Sequence, residues 1–232
     1  MTGPFGYSVW LASLLAEAAV VVCTFYRNEF SRYLALNLYV MLNGIADCGL
    51  YLCFERYGRL SREYFVAYYT TDLLLCLFMY LLIVSLYQQV FVDLNVGRYV
   101  RLAAGCLLLA TAIFSYVVAR GHEHMTEKFA VELEQNLNFI GVILVYLLAG
   151  SVLRMREKRT RLAQIIFALG IYFSATAGTY ALRNLFPALA PAIVHWAPDL
   201  IATWLPLAWA YSFIRVPEEA GLMTAQLAVN PQ

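Results

Sequence analysis

Charged side chains are scarce in this sequence. They make up 13% of the 232 residues, whereas 62% are hydrophobic. Soluble domains carry roughly a quarter charged residues, so this shortage excludes an ordinary soluble domain and indicates a protein of the lipid bilayer. The 16 basic and 15 acidic residues nearly cancel, to a formal net charge of +1. A chain so close to neutral has no electrostatic preference for nucleic acid or for an acidic partner.

Lysine, histidine and proline are missing where several membrane activities need them. The only lysines, Lys128 and Lys158, lie between apolar runs, so there is no retinal Schiff-base lysine. The apolar runs have no interior histidine, which excludes a haem ligand pair and the transmembrane zinc of adiponectin-receptor-like hydrolases. No proline lies between residues 5 and 186. SWEET-type and PQ-loop transporters, with broken helices repeated in both halves, are therefore disfavoured. The cofactor, if any, is unknown from the sequence.

Seven apolar runs approach or exceed the roughly 20 residues that a membrane-spanning helix needs. They cover 6–26, 33–54, 64–91, 99–119, 131–153, 162–182 and 198–214. We expect an all-α integral membrane bundle of seven transmembrane helices in residues 1–216, followed by a short cytoplasmic tail, 217–232. The stretch 184–197 contains two prolines and is too short to cross, so we expect a separate interfacial or re-entrant piece there.

The distribution of basic residues predicts the orientation. With the N-terminus outside, ten Lys and Arg residues fall on the cytoplasmic side of the seven spans and six on the outer side. Because cytoplasmic connections carry an excess of Lys and Arg, an outer N-terminus and a cytoplasmic C-terminus are favoured.

Three carboxylates are clear candidates inside the predicted spans, namely Glu17, Asp47 and Asp72. Ionisable groups at such positions are costly and usually face the bundle interior. Asp47 and Asp72 share a level, about 10 to 12 Å below the outer boundary at 1.5 Å per residue. Four-residue spacing aligns Tyr68 with Asp72 and Asn43 with Asp47 on their helices.

Asn136 and Asn138 lie near the outer end of the fifth run. Together these groups predict an outward-facing polar pocket suited to an amine, a cation or a proton. Its residues are Glu17, Asn43, Asp47, Tyr68, Asp72, Asn136 and Asn138. The alternative is that the same groups only join helices by hydrogen bonds, as polar side chains in membranes routinely do.

The histidines offer a weaker pattern. His122 and His124 lie in one connection, RGHEHMTEKF, and His195 precedes the seventh run. All three fall on the predicted outer side, where an H-x-H pair and a third histidine could bind Zn²⁺. The simpler interpretation is that they are solvated loop histidines, so no metal site is predicted from them.

The run REYFVAYYTTDLLLCLFMYLLIVSLYQQVF, Arg62 to Phe91, is rich in aromatic residues. It resembles the third-span region of uncharacterised seven-helix membrane proteins of acidobacterial type. The resemblance covers about thirty residues and implies a seven-helix fold in a bacterial inner membrane. It implies no activity.

These observations favour a sensory or ligand-binding membrane module that acts through a partner. The partner, or anionic lipid, is expected at a basic connection formed by Arg154, Arg156, Lys158, Arg159 and Arg161. A small-solute or proton-coupled transporter is one alternative, and a structural or assembly subunit of a membrane complex is another. No catalytic residues are identified, so we do not expect an enzyme.

Overall fold

The computed structural model describes residues 4–58, 61–92, 97–120, 125–155, 159–186 and 190–218. This part of the chain forms seven α-helices and no strand. They are α1 (Pro4–Tyr26), α2 (Leu34–Tyr57), α3 (Arg62–Val90), α4 (Gly97–Ala119), α5 (Met125–Met155), α6 (Thr160–Leu185) and α7 (Ala190–Arg215). Each of the first six matches an apolar run of the sequence, although α5 starts earlier than predicted.

Six of these helices, α1 to α6, are long and apolar enough to cross a membrane. Large apolar side chains on them are exposed. On α4, for example, Leu109 and Phe114 are 63% and 58% exposed. Broad apolar surfaces of this kind are unfavourable in water and are compatible with contact to lipid. The all-helical fold is therefore confirmed for the described residues, and six of the predicted spans form helices long and apolar enough to cross a membrane.

The start of α7 corrects the prediction. The sequence predicts a separate piece at 184–197, but α7 is one helix from Ala190 to Arg215 that includes Pro198 and Pro206. Proline removes one backbone hydrogen bond, yet a helix can continue through it where neighbouring helices hold the flanking turns. α7 has such neighbours, since it packs against both α1 and α6.

A tight turn ends α1. Asn28 has the left-handed backbone conformation, with φ of 55°. Its N–H donates to the carbonyl of Phe25 at 3.1 Å, and the N–H of Glu29 donates to the carbonyl of Thr24 at 2.9 Å. This is the Schellman arrangement, which satisfies carbonyls that the helix end leaves open. The backbone of Glu29 is thereby fixed directly beyond α1.

The ends of α2 and α3 are also defined by local bonds. Gly58 follows α2 with φ of 81°, a conformation that glycine adopts without strain, and its N–H donates to the carbonyl of Phe54 at 2.9 Å. Ser61 caps α3, because its hydroxyl accepts from the N–H of Tyr64 at 3.1 Å. α3 therefore begins just before its row of tyrosines.

The helices form two compact units, whose boundary falls within α5 between residues 141 and 142. Unit 1 contains α1, α6, α7 and the second part of α5. In it, α7 packs against α1 and α6 around the fully buried Val20, Ile165 and Trp209. Unit 2 contains α2, α3, α4 and the first part of α5. In it, α3 packs against α2 and α4, with Leu36 and Leu86 fully buried.

Candidate functional site

The row of tyrosines on α3 leads to Asp72 in unit 2. The rings of Tyr64 and Tyr68 are stacked, with centroids 6.5 Å apart and an interplanar angle of 26°. Tyr68 lies close enough to Asp72 for a direct electrostatic interaction between their polar groups. The four-residue spacing therefore places these side chains in one row, as the sequence predicts.

Asp72 is paired with a second carboxyl group. Its side chain forms a hydrogen bond with the side chain of Glu134, which joins α3 to α5 within unit 2. An ionised carboxylate only accepts hydrogen bonds, so one of the two groups must carry a proton. The bond between the two carboxyl groups therefore requires at least one proton.

Two further side chains of α3 lie near this pair. Tyr68, one turn before Asp72, and Cys76, one turn after it, each interact electrostatically with both Asp72 and Glu134. A phenol can donate a hydrogen bond to a carboxylate, and a thiol can do so weakly. The cluster Tyr68, Asp72, Cys76 and Glu134, called the carboxyl pair site below, thus has the groups to bind a proton or a small amine.

Sequence reasoning missed Glu134 because it counted that residue among the acids of the outer side, although it lies within the fifth run, 131–153. In the structure Glu134 lies well inside α5, which begins at Met125. Its four-residue spacing from Asn138 was the available signal, since Asn138 is buried at 7% exposure. Two polar residues one turn apart near the end of an apolar run indicate a shared inward face.

The two predicted asparagines of α5 lie in unit 2 as well. Asn136 donates from Nδ2 to the hydroxyl of Ser115 on α4 at 3.0 Å, and Ser115 is fully buried. Asn136 thus forms an interhelical hydrogen bond, which is the alternative that the sequence left open for these groups. Asn138 is buried.

Three residues of the predicted pocket are not part of the carboxyl pair site. Asn43 and Asp47 are half-buried on α2, which packs against α3. The carboxyl group bonded to Asp72 is that of Glu134. Glu17 belongs to unit 1, where it is 4% exposed and accepts a hydrogen bond from the Ser13 hydroxyl at 3.4 Å. A pocket that joins all three predicted carboxylates stays a prediction.

The structure does not describe the side chains of the three histidines. His122 and His124 lie outside the described residues, and the side chain of His195 is likewise not described. Among the described residues, no group of three or more His, Cys, Asp or Glu side chains could hold a metal ion.

The basic connection before α6 requires one correction. Arg154 is exposed at the end of α5 and Arg159 is half-buried, while Arg156 and Lys158 lie outside the described residues. Arg161 was expected to contact a partner or lipid, but it is 1% exposed. It cannot form part of an open basic surface, because its guanidinium group is enclosed by unit 1.

Arg161 joins three parts of unit 1. Its Nη1 donates to a carboxylate oxygen of Glu29, beyond α1, and to one of Glu218, beyond α7, the latter at 3.0 Å. Its Nε and Nη2 donate to the carbonyl of Val216 at 3.1 and 2.9 Å. The guanidinium carbon lies 5.6 Å from the ring centroid of Phe213, within range of a cation–π interaction. The positive charge is therefore fully paired.

The described helices and the site together indicate an all-helical integral membrane protein with a half-buried carboxyl pair. Comparison with known proteins finds no matching family model, no matching curated protein and no matching solved structure.

Proposed function

We propose that this chain is a sensory or ligand-binding protein of the bacterial inner membrane, with seven spans, an outer N-terminus and a cytoplasmic C-terminus. The contacts of α7 support the seventh span. Arg27, after α1, donates to the carbonyl of Ile214 at 3.3 Å, and Thr160, at the start of α6, donates to that of Pro217 at 2.6 Å. α7 therefore runs antiparallel to α6. Its 26 residues extend over about 39 Å, which exceeds the hydrocarbon core.

The carboxyl pair site is the observation that carries the proposal. Interhelical bonding alone requires no second carboxyl group opposite Asp72, since a neutral amide at Glu134 would provide the same bond without a charge in the membrane. Two carboxyl groups that share a proton are suited to bind a proton or an amine. We propose that ligand binding at Asp72 and Glu134 is the event that the protein senses.

In this proposal, the protein transmits ligand binding to a partner. Arg154, Arg156, Lys158 and Arg159 are the residues proposed to contact a partner protein or anionic lipid, and Arg161 is withdrawn from that set. Basic groups next to a membrane span bind anionic headgroups with about 1 kcal/mol each.

Substitution of either carboxyl group tests the site. In lipid nanodiscs, Asp72→Asn and Glu134→Gln should each remove one protonated-carboxyl band from the infrared spectrum, because the remaining acid then accepts a bond from an amide and needs no proton. Methylammonium chloride should raise the thermal unfolding midpoint of the unsubstituted protein above that in equimolar sodium chloride, since it binds the folded state. Both variants should lose this difference.

Glu63→Gln is the matched control, because Glu63 is an exposed carboxylate in the first turn of the same helix. It should retain both the infrared band and the response to methylammonium. If the Asp72 and Glu134 variants also retain both, the pair is not a ligand site and interhelical bonding is its role. If only the infrared band changes, the pair binds a proton and no amine.

A further inference from the structure

The segment that follows α7 is held by one turn of another helix. Thr160 donates to the carbonyl of Pro217, and Arg161 donates to the carbonyl of Val216 and to the carboxylate of Glu218. These bonds all originate from two consecutive residues at the start of α6. Release of the segment Val216–Glu218 from α6 would therefore break bonds to only these two residues of that helix's first turn.

The two carboxylates on Arg161 are held in different ways. Glu29 follows the Schellman turn of α1, whose backbone bonds fix its position independently of Arg161. Glu218 lies beyond the last backbone bond of α7, from the N–H of Val216 to the carbonyl of Ser212 at 3.2 Å. The position of Glu29 is thus fixed independently of Arg161, while the bond from Arg161 is one of the contacts that hold Glu218.

We propose that Arg161 is the fixed half of a releasable latch, which holds the segment Val216–Glu218 against the first turn of α6. This inference goes beyond the proposed ligand binding and does not depend on the carboxyl pair site. The latch opens by release of Glu218 while Arg161 keeps Glu29.

The charges on the two sides of the latch favour this route of opening. A buried cation that loses its only partner is strongly destabilised, but Arg161 keeps one carboxylate in either state. The released Glu218 and the carbonyls of Val216 and Pro217 gain water as their partner. Opening therefore leaves no unpaired charge in the protein, and the segment changes from ordered to mobile, which is a common switching transition.

Limited proteolysis at Arg215 tests the latch. Arg215 is exposed and directly precedes the held segment, so trypsin releases a fragment that starts at Val216 only when the segment is open. Cleavage of a transiently open state follows the population of that state, so Glu218→Gln should release the fragment roughly tenfold faster than the unsubstituted protein. Glu219→Gln, the same charge change one residue later, should stay within about twofold.

A second substitution acts on the other half of the latch. Arg161→Lys retains the charge but loses the planar fork that bonds Glu29, Glu218 and Val216 together, so it should also accelerate release of the fragment. Cleavage after Arg62, exposed on α3 in unit 2, reports unfolding of the rest of the protein and should not change in Glu218→Gln. An unchanged rate in Glu218→Gln, equal acceleration in Glu219→Gln, or parallel acceleration at Arg62 would each overturn the latch.

Discussion

At the scale of single residues, Asn28 connects local backbone geometry to a long-range ion pair. Its left-handed conformation ends α1, and the same turn holds Glu29 where Arg161 can reach it. Most L-residues pay about 1 to 2 kcal/mol for this conformation, whereas asparagine and glycine adopt it readily. The identity of residue 28 therefore influences the stability of the charge cluster although its side chain is not part of it.

Substitution of Asn28 should separate the effect of its backbone conformation from that of its side chain. We expect Asn28→Ala to lower the free energy of unfolding by about 1 kcal/mol, because alanine is strained at positive φ. Asn28→Gly should leave it unchanged or slightly higher, since glycine is unstrained there. Equilibrium unfolding in mixed micelles measures both values. Equal destabilisation by the two variants would show that the asparagine side chain, and not the backbone conformation, is what matters.

At the scale of helices, α4 is joined to α3 by a hydrogen bond. The hydroxyl of Tyr80, which is 4% exposed, donates to the carbonyl of Ala104 at 2.8 Å. Large side chains of α4, among them Leu109 and Phe114, face outward. Much of the described α4 surface thus faces away from the protein, and the Tyr80 bond helps to hold α4 against α3.

Removal of that hydroxyl should loosen α4. We expect Tyr80→Phe to lower the stability of α4 by about 0.5 to 1.5 kcal/mol, the usual net value of one hydrogen bond. Hydrogen exchange of the α4 amides should become faster by a corresponding factor. Tyr116→Phe removes a hydroxyl from an exposed position on α4 itself and should have no effect. Identical exchange in both variants would contradict a stabilising role for the Tyr80 bond.

Much of the helical layout is predictable from sequence because hydropathy alone determines which stretches can cross a membrane. Six runs match helices, and the row from Tyr64 to Asp72 follows from helical spacing. The start of α7 was missed because the sequence shows its prolines but not the helices that pack around them. Pro198 and Pro206 lie within a helix that α1 and α6 support.

The charge partners are less predictable because they depend on packing between distant segments. The pairing of Asp72 with Glu134 requires the relative positions of α3 and α5, which no local pattern encodes. The partners of Arg161, Glu29 and Glu218, lie 132 and 57 residues away from it in sequence. A basic residue in a basic stretch is usually exposed, and only the fold reveals that this one is buried.

At the scale of the whole molecule, the predicted seven-span topology depends on α7. The structure gives α7 a helix on each side in unit 1 and a length sufficient to cross. An odd number of spans puts the two ends of the chain on opposite sides of the membrane, whereas six spans put them on the same side. The segment after α7 would lie on the same side as the basic connection before α6 only in the first case.

Reporter fusions on either side of α7 should determine directly whether α7 crosses the membrane. Alkaline phosphatase fused after Leu185, at the end of α6, should be active because that point is predicted outside. Green fluorescent protein fused after Val216 should fluoresce because that point is predicted in the cytoplasm. The exchanged pair, with each reporter at the other position, serves as the control. The same side for both positions would show that α7 does not cross.

The burial of Arg161 also bears on how the chain is made. At about 5 to 20 residues per second, a ribosome needs roughly 3 to 11 s to add the 57 residues that separate Arg161 from Glu218. During that interval one of its two carboxylate partners does not yet exist. Arg161 can then act as a positive charge that keeps its end of α6 in the cytoplasm under the proposed orientation. The same side chain would direct membrane insertion first and stabilise the finished protein afterwards.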